Sequence, residues 1–261
     1  MRYGMCMQID APERVKIIKD AGFDYVECGF CKLSRADDET FEAFRKALND
    51  NNILCEAANG FFPKDIPLVG DEFDEKKTAE YMERGMKRGA EIGLKTVVFG
   101  SSGARAVPEN ISYAEGFRQL GRVLHDVISP MAKKYGITIV MEPLRRDECN
   151  IINTVKEGTM LAVMSDTDNV FCLADIYHMI GEGDTFEDII QLKGSIRHSH
   201  ISNPYSKKDL KRDFPADMTE FDYAGFIDAL EFAGCETCSV EAQCIDFQSE
   251  TVAAGKLLRQ I

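Results

Sequence analysis

Apolar residues fall along this chain in two alternating rhythms. Short, largely apolar runs give way to longer stretches in which apolar positions recur every three or four residues. The short runs predict strands at 2–7, 25–30, 53–57, 96–100, 137–144, 170–175, 195–202 and 237–242. The longer ones, ERVKIIKDAG, AEYMERGMKRGAEIG and FRQLGRVLHDVISPMAKKYG among them, predict helices. Gly22, Gly93, Gly136 and Gly234 stand where helix ends want a left-handed cap, and Asp222 and Ser249 where helix starts want a side-chain acceptor. Strict alternation of strand and helix implies a parallel sheet. Eight repeats within about 250 residues favour closure into a (β/α)8 TIM barrel, one domain over residues 1–261. An open doubly wound sheet would want a glycine-rich phosphate loop after its first strand, and CMQIDAPERV has no glycine.

A barrel of this kind works at the C-terminal ends of its strands. Strand five ends on Glu142, strand six on Asp175 with His178 just beyond, strand seven carries His198-Ser-His200, and strand eight ends on Glu241. Barrel strands are buried on both faces, so a lone charge near one is costly unless it is paired or coordinated. Side chains alternate across a strand, so spacing alone leaves open whether all of these groups face the lumen. Four such groups on consecutive strands can converge on one ion. Three carboxylates and an imidazole make a hard, oxygen-rich donor set, suited to Mn2+ or Mg2+, or to Co2+, over a thiolate-held zinc. Glu142 and Glu241, on non-adjacent strands, are the natural pair for moving a proton from one side of a carbon to the other. His198, deeper on the same strand face as His200, reads as an inner hydrogen-bonding residue. His125 reads as a surface or packing group, and Met82 and Met86 as core. Phe61-Phe62 either roofs a pocket or simply packs.

Charge narrows the partners. A net charge of -13 argues against nucleic acid, whose backbone wants clustered Lys and Arg, and against an anionic membrane surface. No apolar run approaches the ~20 residues of a membrane span. The opening MRYGMCMQID lacks a secretory apolar core, so the expected location is cytoplasmic. Of the 9 cysteines, Cys28 and Cys31, and Cys235 and Cys238, have C-x-x-C spacing. The two pairs are far apart, each overlaps a predicted strand, and they read as small buried hydrophobes in a reducing compartment.

The run Glu142-Pro-Leu-Arg-Arg-Asp-Glu148-Cys-Asn-Ile-Ile-Asn153-Thr resembles a segment of the D-tagatose and D-psicose 3-epimerases, within the xylose-isomerase-like sugar isomerase/epimerase barrels. Asp175-Ile-Tyr-His178-Met, His198-Ser-His200 and Val240-Glu241 resemble the same group's later motifs. The resemblance implies Glu142, Asp175, His200 and Glu241 as metal ligands, with Glu142 and Glu241 also the catalytic acid/base pair. It implies Glu148 and His178 as substrate contacts, Mn2+ as the favoured ion, and a homodimer or homotetramer. An arginine before x-x-Pro also binds substrate in that group. Arg212-Asp-Phe-Pro215 fits it, at the end of a longer loop in which Lys207 or Lys208 could serve instead. That loop is basic within an acidic chain, which hints at an anionic or phosphorylated substrate.

The expected activity is therefore C3 epimerisation of a ketose, a small-molecule sugar, through a metal-bound enediolate. Hydroxypyruvate or aldose–ketose isomerisation, ketose-phosphate epimerisation and inosose dehydration draw on the same groups. A non-catalytic sugar-binding barrel is disfavoured by intact Glu142 and Glu241. Metal-dependent DNA repair is disfavoured because its three-metal site needs many histidines and the chain has 4.

Overall fold

The structure, a computed structural model, describes residues 1–206 and 211–261. Its strands are β1 (Arg2–Met7), β2 (Tyr25–Gly29), β3 (Cys55–Asn59), β4 (Thr96–Phe99), β5 (Thr138–Met141), β6 (Val170–Asp175), β7 (Ile196–Ile201) and β8 (Thr237–Val240). Each pairs in parallel with the next, and β1 pairs with β8 from Arg2↔Thr237 to Met5↔Val240, closing the barrel. Helices lie between successive strands and cover the outside.

Alternation along the strands sorts the side chains. Val97, Phe99, Ile139, Met141, Cys172 and Ala174 point outward into the apolar layer shared with the helices. Val98, Val140 and Leu173 form a small separate apolar cluster inside the barrel. Asp175 follows Leu173 at the strand period of two, and Glu142 follows Val140 in the same way, so both continue the inward row. The opposite side of the lumen is polar, with Glu27, His198 and Ser239 buried. Gly4 makes room there: a Cβ would lie 2.2 Å from the Tyr25 ring and 2.7 Å from Ser239 Oγ.

Several elements depart from the sequence expectation. β3 begins and ends two residues later than 53–57, and β5 is shorter than 137–144 at both ends. The last helix, Phe247–Leu258, is capped by Asp246, whose side chain accepts from Gln248 N–H, and not by Ser249. Each C-x-x-C pair overlaps a strand as expected, Cys28 in β2 and Cys238 in β8, while Cys31 falls in the helix Phe30–Arg35 and Cys235 precedes β8. All 9 cysteines are free thiols. The long helix predicted over residues 117–136 forms over 113–134, with a π turn at Leu124–Ile128 in its middle. Gly22, Gly93, Gly136 and Gly234 all take positive φ, and Asp222 caps Tyr223–Ala233. Among the described residues no helix is long and apolar enough to cross a membrane.

Candidate active site

At the C-terminal mouth of the barrel, four side chains from four consecutive strand ends meet. Asp175 is the last residue of β6 and His200 lies within β7, while Glu142 and Glu241 stand one residue past β5 and β8. Backbone bonds fix the latter two: Glu142 N–H donates to Phe99 C=O at 3.2 Å and Glu241 N–H to Ile201 C=O at 3.1 Å. The packing at Glu142 depends on Gly100, where a Cβ would sit 2.1 Å from Glu142 Oε2. One ligand atom from each of the four residues lies within 4.8 Å of the others. His200 Nδ1 is 3.0 Å from Glu241 Oε2, 3.1 Å from Glu142 Oε1 and 3.6 Å from Asp175 Oδ2.

The other nitrogen of His200 is held from below. Its Nε2 lies 2.9 Å from Glu27 Oε1, and Glu27 Oε2 lies 2.9 Å from His198 Nε2, whose Nδ1 meets Thr237 Oγ1 at 2.8 Å. Glu27 is fully buried. Burial alone would raise its carboxyl pKa, but His200 and His198 outweigh that and hold it well below the usual range. A carboxylate at Nε2 keeps the proton there and leaves Nδ1 to face the three acids, the arrangement that orients metal-binding histidines. Sequence reasoning placed His198 correctly as a hydrogen-bonding residue and missed Glu27. The signal was available: a carboxylate in the otherwise apolar run Tyr-Val-Glu-Cys is the same cue that picked out Glu142.

Cations balance the carboxylates. Arg212 Nη1 donates to Asp175 Oδ2 and Nη2 to Glu241 Oε2, both at 2.6 Å, and the guanidinium lies 5.0 Å from the Tyr177 ring centroid. Asp175 also caps the helix Ile176–Glu182, with Oδ1 accepting from Tyr177 N–H at 2.8 Å. Despite its burial, Arg212 and His178 hold Asp175 below the normal carboxylate range. Glu241 accepts from Asn59 Nδ2 at 2.8 Å, and against the effect of burial Arg212 and His200 lower its pKa to about 2. Glu142 moves the other way, raised by burial and by the charge of Glu241.

Glu241 connects the cluster to a cavity of about 360 Å3, whose lining does not include Glu142, Asp175 or His200. Glu148, His178, Arg212 and Glu241 all line it. Glu148 lies 3.7 Å from Lys211 Nζ, and His178 Nδ1 accepts from Arg145 N–H at 3.4 Å. The loop bearing Glu148 is pinned by Asn153, whose Nδ2 donates to Leu144 C=O and Cys149 C=O, both at 2.7 Å. Arg105, fully buried, ties the same loop to β4 by donating to Ile152 C=O and Phe99 C=O. Phe61 and Phe62 do not line the cavity; they pack in the core with Phe30, Tyr81 and Phe99. Met82 and Met86 are buried core, and His125 is exposed with Nδ1 on Ser165 C=O. Lys207 and Lys208 lie outside the described residues.

Comparison with known proteins agrees with this architecture. Residues 15–260 match the family described as the xylose isomerase-like TIM barrel. The chain is 25% identical over 189 residues to D-psicose 3-epimerase of Agrobacterium fabrum, covering 70% of this chain and 63% of that protein, less than two thirds of its length. It is 29% identical over 230 residues to L-ribulose 3-epimerase of Mesorhizobium japonicum, covering 83% of this chain and 69% of the relative. Among solved structures, the apo form of 3-keto-D-glucoside 4-epimerase from E. coli superposes over 100% of both chains with a TM-score of 0.80 at 21% identity.

Proposed function

Because the chain belongs to the xylose isomerase-like TIM barrel family, we propose that it is a divalent-metal-dependent sugar isomerase/epimerase that inverts C3 of a ketose. The observation that carries this reading is the convergence of Glu142, Asp175, His200 and Glu241 within 4.8 Å. Three carboxylates this close repel one another, and in the chain alone Arg212 and His200 supply the compensation. A divalent ion supplies it more completely, and the donor set of three carboxylate oxygens and one imidazole favours Mn2+, with Mg2+ or Co2+ as substitutes. The four residues would hold the ion, which when bound provides a Lewis acid that polarises a substrate carbonyl and acidifies the C–H beside it.

The chain's own residues do the rest. One carboxyl of the Glu142–Glu241 pair takes the proton from C3, leaving an enediolate, and the other returns a proton to the opposite face. His178 and Glu148, on the cavity wall, bind and orient the substrate's carbonyl end and hydroxyls. Arg212, which also lines the cavity, binds a substrate oxygen beside the reacting carbons. A second reading, epimerisation at C4 beside a C3 ketone, draws on the same proton transfer and is favoured by the likeness to 3-keto-D-glucoside 4-epimerase.

Deuterium exchange by NMR, with Mn2+-reconstituted protein and pooled free ketoses in D2O, tests the proposal. Label entering at C3, and lost by about 10²–10⁴ in rate in Glu142→Gln and Glu241→Gln, is expected. Label at C4 of a 3-keto sugar selects the second reading. Absence of exchange on ketoses, their phosphates, 3-keto sugars and hydroxypyruvate, with metal bound, overturns both.

A further inference from the structure

One wall of the cavity has no part in this proton transfer. It is built from Gln8 and Arg14 after β1, Phe214 after β7, and Gln243 and Phe247 after β8. Among the described residues three Lys or Arg side chains line the cavity, and two are matched: Arg212 to Asp175 and Glu241, and Lys211 to Glu148. Arg14 has no carboxylate within ion-pair distance among the described residues. Asp10, four residues earlier, is near enough to feel its charge but makes its ion pair with Lys32, at 2.8 Å.

The guanidinium of Arg14 is nevertheless held in place. Its carbon lies 4.4 Å over the Phe247 ring, and Phe214 meets that ring edge-on with centroids 6.1 Å apart. A guanidinium held over a ring by cation–π attraction makes no hydrogen bond there, so its N–H fork is left to meet a carboxylate or phosphate with two bonds at once. A half-buried cation with no carboxylate in direct contact is desolvated without full compensation, which a bound anion would supply. Its neighbours suit an anion too. Gln243 Oε1 accepts from Lys211 N–H at 3.0 Å, leaving its amide N–H groups as donors. Barrels of this architecture frequently bind phosphate on the loops after strands seven and eight, which here contribute Phe214 and Gln243.

We infer that the cavity takes a sugar bearing an anionic group, a phosphate ester or a carboxylate, at the end away from the reacting carbons, with Arg14 as its anchor. This rests on the reading of the cavity as a sugar-enolising site and names the substrate class of that site.

Exchange in D2O on three matched substrates tests it: a neutral ketose, its terminal phosphate ester and the corresponding terminal carboxylate. An anionic member should exceed the neutral one in kcat/KM by tenfold or more, and the better of the two names the source. Arg14→Gln should shrink that ratio at least tenfold, chiefly through KM. Equal use of all three, preference for the neutral sugar, or a ratio untouched by Arg14→Gln would overturn the inference. Should no sugar exchange at all, the enolising reading fails while the anchor is still testable. Calorimetric titration of the Mn2+-loaded protein with inorganic phosphate should give at least tenfold weaker binding in Arg14→Gln. Equal phosphate affinity in the two proteins would remove Arg14 as an anion site.

Discussion

A carboxylate with no exposed surface has to be matched, and Glu27 is matched twice, by the Nε2 atoms of His198 and His200. Its effect on His200 reaches the mouth of the barrel, because fixing Nε2 decides what Nδ1 offers. Glu27→Gln keeps an acceptor for one imidazole but removes the charge that raises ligand basicity. Metal affinity should drop by about 10–100-fold, read by competition with a chromophoric chelator; an unchanged affinity would make Glu27 a packing residue only. Asp175→Asn should release most of the bound metal, since it removes a donor while an amide oxygen can still cap Ile176–Glu182. Elemental analysis showing a full complement would take Asp175 out of the ligand set. Glu148→Gln should retain metal yet turn over more slowly, and unaltered kinetics on a confirmed substrate would leave Glu148 a loop carboxylate paired with Lys211. At this scale the sequence was informative wherever a charge ended an apolar strand, as at Glu142, Asp175 and Glu241. It was silent on Arg14, whose meaning lies in having no carboxylate within ion-pair distance among the described residues, a property of the assembled cavity and not of any local pattern.

The strands show where periodicity stops being informative. A shift of two residues leaves every side chain on the same face, so the alternation in 53–57 fits 55–59 equally well. That ambiguity hid Asn59, which ends β3 and donates to Glu241. Strand β5 stops early because Pro143 has no N–H to continue the ladder. At the bottom of the barrel, Arg2 of β1 reaches Glu56 of β3 with two bonds of 2.7 and 2.8 Å, and Lys95 adds a third at 3.0 Å. These bonds, the bidentate Arg2 pair above all, hold the Glu56 carboxyl below its ordinary pKa against partial burial. A lowered folded-state pKa stabilises above the unfolded value of about 4.3, and the gain is lost as pH falls through the lower folded value. Glu56→Gln should therefore cost about 1–2 kcal/mol at neutral pH. Urea unfolding should show the difference from the parent shrinking below about pH 4; a gap that persists unchanged in acid would assign the loss to packing. On the outer ring, a Cβ at Gly255 would lie 2.5 Å from the backbone oxygen of Ala21, which cannot swing aside. Gly255→Ala should lower stability by about 1–3 kcal/mol by forcing Phe247–Leu258 off its neighbour, seen as a lower Tm.

At the scale of the molecule, the alternation of eight strands with helices was enough to predict the closed barrel, because that pattern is repeated along the whole chain. Substrate identity was not legible in the same way. The cavity wall is contributed by loops far apart in sequence, and the contact between Arg14 and Phe247 exists only once they are brought together.

The pairing of β1 with β8 carries a consequence for how the protein is made. During synthesis the free side of Arg2–Met7 waits for Thr237–Val240, so nearly the whole chain has to leave the ribosome before the ring can shut. The proposed ligands at 142, 175, 200 and 241 all come late, whereas Glu27, which aligns one of them, comes early. A nascent chain therefore has no complete chelate to offer, and uptake of the proposed metal would be the last step of maturation. By mass action an ion captured then favours the closed ring over any opened one, so that cellular metal supply would set how long the enzyme survives as well as how fast it works.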